Sequence, residues 1–129
     1  MKAVRYYSRS GNTKMVAEAI AEAVGAAAVS VDSSEAAITE EADVLFLGAA
    51  IYAHGIDRKM KVFLAALDGA KVKKAVLFST SMMSKHALEL MKKALQEKGV
   101  EVADETFYVK SKAVKAQLGE AAEFARKFA

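Results

Sequence analysis

Hydrophobic positions follow two different spacings along this chain of 129 residues. Short continuous apolar runs, such as VLFLG at 44–48 and AVLFS at 75–79, are typical of strands buried on both faces of a sheet. Apolar positions three and four residues apart, as in 12–24 and 57–67, are typical of helices that pack on one face. The pattern predicts five strands, at 2–7, 27–31, 44–48, 75–79 and 100–109. It predicts helices at 12–24 and 57–67, a third from Ser84 to Gly99, and a closing helix marked by Val114, Leu118, Ala121, Ala125 and Phe128.

This order of elements predicts an α/β fold. Strands that alternate with helices form right-handed βαβ units, which give a parallel sheet with helices on both faces. Ligands of such sheets bind outside the carboxyl ends of the strands. Three predicted loops lie at those ends, at 8–13, 49–56 and 79–83, and all three are rich in small residues. We therefore expect the binding site there.

Composition restricts the classes of protein. Hydrophobic residues make up 53% and charged residues 27%, and we expect one domain over residues 1–129. The absence of cysteine excludes disulfides, thiolate metal sites and thiol catalysis. No apolar run approaches the roughly 20 residues of a membrane span. A strand pattern begins within two residues of the N-terminus, so we expect no signal peptide and a cytoplasmic location.

The charge pattern favours solvated lysines over a nucleic-acid partner. The formal net charge is +3, and its lysines are spread over several segments. Aromatic residues are only 8% and do not follow the lysines, as they would in a typical nucleic-acid surface. The acidic stretch at 32–43 can hold at most a brief helix and is interpreted as solvated surface. His86 has no second histidine at metal-ligand spacing and is interpreted as structural, so we assign no metal ligand.

The loop SRSGNT, residues 8–13, concentrates small hydrogen-bonding groups between a strand and a helix. A helix that begins near Asn12 presents free backbone amides and the positive end of its dipole at this point. Three hydroxyls and one amide add donors, and Gly11 permits close approach of the backbone, which together favour a phosphate site. The alternative is a simple helix cap by Ser10 or Asn12. The patterns G-x-x-x-x-G-K-S/T and G-x-G-x-x-G are both absent.

Three segments resemble flavodoxin-like proteins. SRSGNT is similar to the loop of that family that holds the phosphate of FMN. GAAIYAHGIDRKMKVFL, residues 48–64, resembles the second flavin loop and the helix after it. KKAVLFSTS, residues 73–81, resembles the strand that leads into the third loop. The resemblance covers essentially the whole chain and implies a three-layer fold with five strands in the order 2-1-3-4-5.

The resemblance also implies roles for individual residues. Ser8, Ser10, Gly11, Asn12 and Thr13 would bind the phosphate. Arg9 would reach the phosphate or point to solvent. The second loop would approach the flavin through the backbone of Ala49, Ala50, Ile51 and Ala53. Tyr52 would stack on the ring or be a core tyrosine. Ser79, Thr80 and Ser81 would bond to the pyrimidine end of the ring.

Further positions of the second and third loops remain open. His54 could donate a proton to the flavin, but an exposed loop histidine is favoured because no carboxylate lies near it in the sequence. The resemblance implies that the peptide on one side of His54 turns when the flavin is reduced, and Gly55 would permit that turn. Met82 or Met83 would cover a flavin edge or pack internally. No catalytic residue is assigned.

The implied function is that of an FMN-binding electron carrier with transient redox partner proteins. The alternative is a small FMN-dependent NAD(P)H or quinone reductase, which needs a second pocket over the flavin. Short loops leave little material for such a pocket. A flavin-free interaction domain is a weaker third hypothesis, because fold does not fix function. We expect a monomer or weak dimer, no nucleic-acid partner and no membrane association.

Overall fold

The computed structural model describes residues 1–52, 55–81 and 84–129. The strands in these ranges are β1 (Lys2–Tyr6), β2 (Ala28–Ser30), β3 (Val44–Ala50), β4 (Lys74–Ser81), β5 (Glu101–Val102) and β6 (Phe107–Lys110). The helices are α1 (Asn12–Val24), α2 (Arg58–Ala66), α3 (His86–Glu97) and α4 (Leu118–Arg126). Single 3-10 turns lie at Gly69–Lys71, Ser111–Ala113 and Lys115–Gln117. No helix in the described ranges is long and apolar enough to cross a membrane.

The strands form one parallel sheet in the order β2-β1-β3-β4-β5, with β6 also paired to β4. This confirms the predicted α/β fold and the order 2-1-3-4-5. The pairing register places Tyr6 opposite Gly48 and Gly48 opposite Phe78. β3 therefore lies between β1 and β4, and the carboxyl ends of these three strands lie side by side.

The predicted last strand, 100–109, is divided in two. Ala103 still donates its N–H to the carbonyl of Ala75, 2.9 Å away, but the ladder then stops until β6 begins. Asp104 and Glu105 are exposed and have low β-propensity, which explains the break. The fifth position of the sheet is thus occupied by two short strands, both paired with β4.

Helices cover both faces of the sheet, and each face has its own core. On one face α1 and α4 pack with Ile20, Phe46 and Phe124 among the buried residues. On the other face α2 and α3 bury the positions predicted to face inward, namely Met60, Phe63, Leu64, Leu67, Leu88, Met91 and Leu95. Each large apolar side chain buried in this way contributes about 1.5–3 kcal/mol.

Hydrogen bonds at the helix ends explain the observed bounds. α1 ends at Val24 as predicted, and Gly25 caps it, with its N–H donating to the carbonyls of Ala21 and Glu22. The Ser84 hydroxyl accepts the His86 N–H at 3.1 Å just before α3, although Lys85 is the cap residue of this helix. α2 begins after Asp57, whose carboxylate accepts the N–H of Lys59 at 2.8 Å.

The strands at the site extend further than predicted. β3 continues through Ala50 and β4 through Ser81, so the predicted loop positions 49–50 and 80–81 belong to strands, as does 79, where the predicted strand and loop overlap. The closing helix is also shorter than predicted, because Val114 lies between 3-10 turns and α4 starts only at Leu118. The acidic segment at 32–43 contains turns and no helix in the described structure, and it buries Ala36 and Ile38.

Candidate functional site

The segments that follow β1, β3 and β4 meet at the carboxyl edge of the sheet. Register pairs Ala50 of β3 with Thr80 of β4, and Ser81 with Lys110 of β6. The first loop, residues 8–11, lies beside the second because β1 and β3 are neighbours. The topology thus brings the three predicted loops together.

The first loop surrounds the N-terminus of α1. Gly11 has φ 92°, a left-handed conformation that suits glycine, and it directly precedes the helix. The Ser8 hydroxyl accepts the N–H of Gly11 at 2.9 Å, and the Ser10 hydroxyl accepts the N–H of Asn12 at 3.3 Å. Ser10 therefore does take part in capping, which was the alternative to a phosphate site. Each hydroxyl keeps its own proton, which it can still donate to an anion.

Two backbone N–H groups in the first turn of α1 have no hydrogen-bond acceptor among the described residues. The first bond of the helical ladder here runs from the N–H of Met15 to the carbonyl of Gly11, at 3.0 Å. Within the described ranges, no acceptor bonds to the amides of Thr13 or Lys14. Amides of this kind, at the positive end of a helix of 13 residues, favour an anion. The donor set at residues 8–14 therefore fits a phosphate group, and capping does not use it up.

A buried pair of hydroxyls joins the first loop to β4. Thr13 and Thr80 are each 1% exposed, and their hydroxyl oxygens are 2.7 Å apart. A hydrogen bond here satisfies two polar groups that would otherwise be costly to bury. It fixes the start of α1 relative to the end of β4, so that the helix N-terminus has a set position above the sheet.

The hydroxyls at the end of β4 form internal hydrogen bonds. Ser79 donates to the carbonyl of Ala49 at 2.7 Å. The Ser81 hydroxyl donates to the carbonyl of Ser84, accepts its N–H at 3.0 Å and lies 3.0 Å from the Tyr108 hydroxyl. Burial and these bonds keep the end of β4 in a fixed shape. Binding of a ligand by Ser79, Thr80 and Ser81 stays a prediction.

The second loop returns on itself immediately after β3. Tyr52 and Gly55 exchange two backbone hydrogen bonds, of 2.8 and 2.7 Å. Gly55 has φ 134°, which a residue with a side chain rarely adopts, and this agrees with the role expected for the glycine of this loop. The predictions for Ala53, His54, Met82 and Met83 lie outside the described residues.

Arg9 contacts Tyr52 and Asp57, while 55% of its side chain stays exposed to solvent. Its Nε and one terminal nitrogen donate to the same oxygen of Asp57, at 2.9 and 2.5 Å. Its guanidinium carbon lies 3.9 Å from the centre of the Tyr52 ring, and its backbone N–H donates to the Tyr52 hydroxyl at 3.2 Å. The first and second loops are therefore joined through these three residues, which we call the Arg9 clamp.

The clamp shifts the ionisation of its members. Burial opposes the charged form of Asp57, but the Lys59 amide and the Arg9 guanidinium together outweigh burial and lower its pKa. The hydrogen bond to Asp57 raises the pKa of Arg9. Burial raises the pKa of Tyr52, although the bond from Arg9 and its positive charge act in the opposite direction. At neutral pH the clamp therefore consists of a cation, an anion and a neutral phenol.

Sequence reasoning missed two residues that shape this edge. Asp57 lies at the predicted start of α2, where aspartate is a common cap, but that position gives no indication of its partner Arg9. Tyr108 alternates with buried positions of the last strand, which indicates only that it faces the other way. Neither contact follows from spacing, since Arg9 and Asp57 are 48 positions apart.

Fold and site together define the class of protein. A sequence model described as a flavodoxin domain matches residues 3–125. The chain belongs to the flavodoxin family. A search of curated proteins finds no match.

Solved structures give the same result. A flavodoxin from the domain Archaea is 25% identical, with a TM-score of 0.85 over 99% of this chain and 96% of that one. Oxidised flavodoxin 1 from Bacillus cereus is 24% identical, with a TM-score of 0.81 over 99% and 97%. The two-electron reduced flavodoxin of Megasphaera elsdenii is 25% identical, with a TM-score of 0.70 over 98% and 99%.

Proposed function

We propose that this protein binds FMN and carries electrons between redox partner proteins. The observation that carries the proposal is the pair of free amides at the start of α1, beside Gly11 in a left-handed conformation. They form a site for a dianion at the carboxyl edge of a flavodoxin-family sheet. When bound, FMN supplies the ring that accepts and releases electrons, and the protein supplies binding and orientation.

Different residues of this chain bind the phosphate and the ring of FMN. The amides of Thr13 and Lys14, with the hydroxyls of Ser8 and Ser10, hold the phosphate. Tyr52 provides a flat surface beside the ring. The buried Thr13–Thr80 pair keeps the phosphate end and the ring end at a fixed separation. Preformed donors of this kind reduce the ordering that binding would otherwise require.

The charges around the site favour a partner with an acidic surface. Six exposed basic residues lie in α2, just before α3, at the end of β6 and in the 3-10 turns after it, and we call them the basic rim: Arg58, Lys61, Lys85, Lys110, Lys112 and Lys115. Within the described ranges none of the six forms an ion pair. Unneutralised charge of one sign around a site accelerates association with the opposite sign.

Reconstitution with FMN tests this function. Purified protein is freed of any flavin and titrated with FMN and with riboflavin, which lacks the phosphate. We expect one FMN per chain, a yellow complex, and much weaker binding of riboflavin. NADPH alone should leave the colour of the complex unchanged over minutes. Equal affinity for the two flavins would contradict the phosphate site, and rapid bleaching by NADPH would indicate a reductase.

A further inference from the structure

The Arg9 clamp lies on one side of the Tyr52 ring. β3, which leads to Tyr52, lies between β1 and β4 in the sheet. Arg9 comes from the loop after β1, and its guanidinium carbon lies 3.9 Å from the centre of the ring, so it covers one face. The third loop follows β4, on the other side of β3. A flavin held between the second and third loops would have to stack on the face that the guanidinium leaves open.

The contacts of the clamp restrict the ring from three directions. The Arg9 backbone holds the hydroxyl, and the Arg9 side chain covers one face. The Tyr52 backbone is fixed by its two bonds with Gly55. Asp57 holds the guanidinium through two donors, and its second oxygen caps α2, so the carboxylate is itself anchored. Asp57 is only 9% exposed, so its carboxylate has little access to solvent, whereas the Arg9 side chain is 55% exposed.

From this geometry we infer that Arg9 and Asp57 are positioning residues for Tyr52, and that Arg9 is not a phosphate ligand. This inference rests on the proposed function, because the ring is held for stacking on a flavin. The clamp acts on the part of the ligand that FMN and riboflavin share. A phosphate ligand would affect only the binding of FMN, because riboflavin has no phosphate. Comparing the two flavins therefore distinguishes a positioning residue for Tyr52 from a phosphate ligand.

Flavin affinities of matched variants test the inference. Arg9→Gln removes the cation, and Asp57→Asn removes the anion but keeps an oxygen that can cap α2. We expect each to weaken FMN and riboflavin by the same factor, about 3- to 10-fold, as for a partly exposed cation–π contact. Lys93→Gln is the control, because it removes an exposed cation in α3 that belongs neither to the clamp nor to the phosphate site. It should leave the binding of both flavins unchanged.

Three results of the flavin titrations would overturn the inference. If Arg9→Gln weakens FMN alone, or Asp57→Asn tightens FMN alone, Arg9 is a phosphate ligand. If either variant tightens both flavins, Arg9 competes with the flavin for the ring. Coupling is measured by repeating Arg9→Gln in a Tyr52→Leu chain. There it should leave the affinity for riboflavin unchanged, and a further loss would show that Arg9 does not act through Tyr52.

A measurement on the flavin-free protein separates the clamp from the proposed function. NMR of protein with 13C-labelled tyrosine gives the pKa of each phenol, and Tyr52→Phe assigns the signal. Arg9→Gln should raise the pKa of Tyr52, because it removes a nearby positive charge. An unchanged pKa would overturn the clamp whether or not flavin binds. A raised pKa in a protein that binds neither flavin would contradict the stacking role and the proposed function, but not the contacts.

Discussion

The two edges of the sheet differ in how far their charged side chains form ion pairs. At the amino edge, acidic and basic side chains neutralise one another. Asp43 pairs with the N-terminal amine at 3.2 Å, Lys73 pairs with Glu41 at 3.0 Å, and Lys74 pairs with Glu101 at 3.5 Å. At the carboxyl edge Arg9 pairs with Asp57 and Lys59 pairs with Asp32 at 3.4 Å, but the six residues of the basic rim form no ion pair among the described residues.

The edges also differ in what they bury. The carboxyl edge buries hydroxyls, such as those of Thr13, Thr80 and Ser79, in hydrogen bonds that join strands to loops. The amino edge relies on exposed ion pairs, each worth about 1 kcal/mol or less. It also has the ammonium of Lys98, which donates to the carbonyls of Ala65 and Leu67 at 2.8 Å each. The difference suggests that changes at one edge affect ligands and partners, while changes at the other affect stability.

The largest expected effect is at the carboxyl edge. Ser10→Asp places a carboxylate beside the phosphate and removes a hydroxyl donor. We expect FMN binding to weaken by about 100-fold or more, from one lost bond to a charged group plus repulsion. Folding should change little, because aspartate can accept the Asn12 N–H as serine does. Fluorescence titration with FMN and thermal unfolding measure the two effects, and riboflavin is the control. Unchanged FMN affinity would remove the phosphate site from this edge.

A change at the amino edge should reduce the stability of the fold and leave FMN binding unchanged. Gly69 lies in the turn before β4, and an added Cβ would overlap the backbone carbonyl of Lys98. Gly69→Ala should therefore lower the free energy of unfolding by about 1–3 kcal/mol, while FMN affinity of the folded protein stays the same. Gly119→Ala is the matched control. It has open space around the new Cβ and should stabilise α4 by about 0.5–1 kcal/mol. Urea unfolding measures both, and weaker FMN binding by Gly69→Ala would contradict the division between the edges.

A smaller effect is expected from the basic rim. The FMN-loaded, reduced protein is oxidised with ferricyanide, a small anion, in salt from about 0.01 M to about 1 M. The native rate should fall several-fold as salt rises, and a chain with Lys110→Glu and Lys112→Glu should lose most of this dependence. The control carries Lys73→Glu and Lys127→Glu, which give the same net charge at other surfaces. If both variants respond equally to salt, only net charge matters and the rim has no special role.

The smallest effect concerns pH. The pKa of Asp57 is lower in the folded protein than the ordinary value of 3.8, so its ionised form stabilises the fold. That stabilisation is complete above the unfolded pKa of about 3.9 and is lost as pH falls through the folded-state pKa. The difference in unfolding free energy between the native protein and Asp57→Asn should thus be constant from about pH 5 to 8 and shrink below about pH 4. Urea unfolding across this range measures it. A difference that already falls between pH 8 and 5 would contradict this account of Asp57.

Much of the fold could be predicted from the sequence because periodicity reports burial. The continuous apolar runs of β3 and β4 and the inward positions of α2 and α3 lie where the pattern placed them. SRSGNT predicted the start of α1 and a loop of small hydrogen-bonding groups because both are local features. A left-handed glycine and the first turn of a helix are properties of adjacent residues.

Contacts between distant residues were not predictable in this way. The apolar run predicted that the strand ends at Ser79 and that a loop follows, yet Thr80 and Ser81 continue β4 with their hydroxyls bonded internally. The pair of Arg9 and Asp57 depends on how two loops meet and on the rotamers of both side chains. Spacing along the chain carries no information on either.

The division of the last strand bears on how the protein behaves in a crowded solution. The outermost strands of an open sheet expose unpaired backbone groups, which can add a strand from another molecule and start an aggregate. Here β2 has three residues at one margin, and at the other the two-residue β5 and four-residue β6 are separated by exposed Asp104 and Glu105. Neither margin offers a long, straight template. We expect this chain to resist edge-to-edge polymerisation at high concentration.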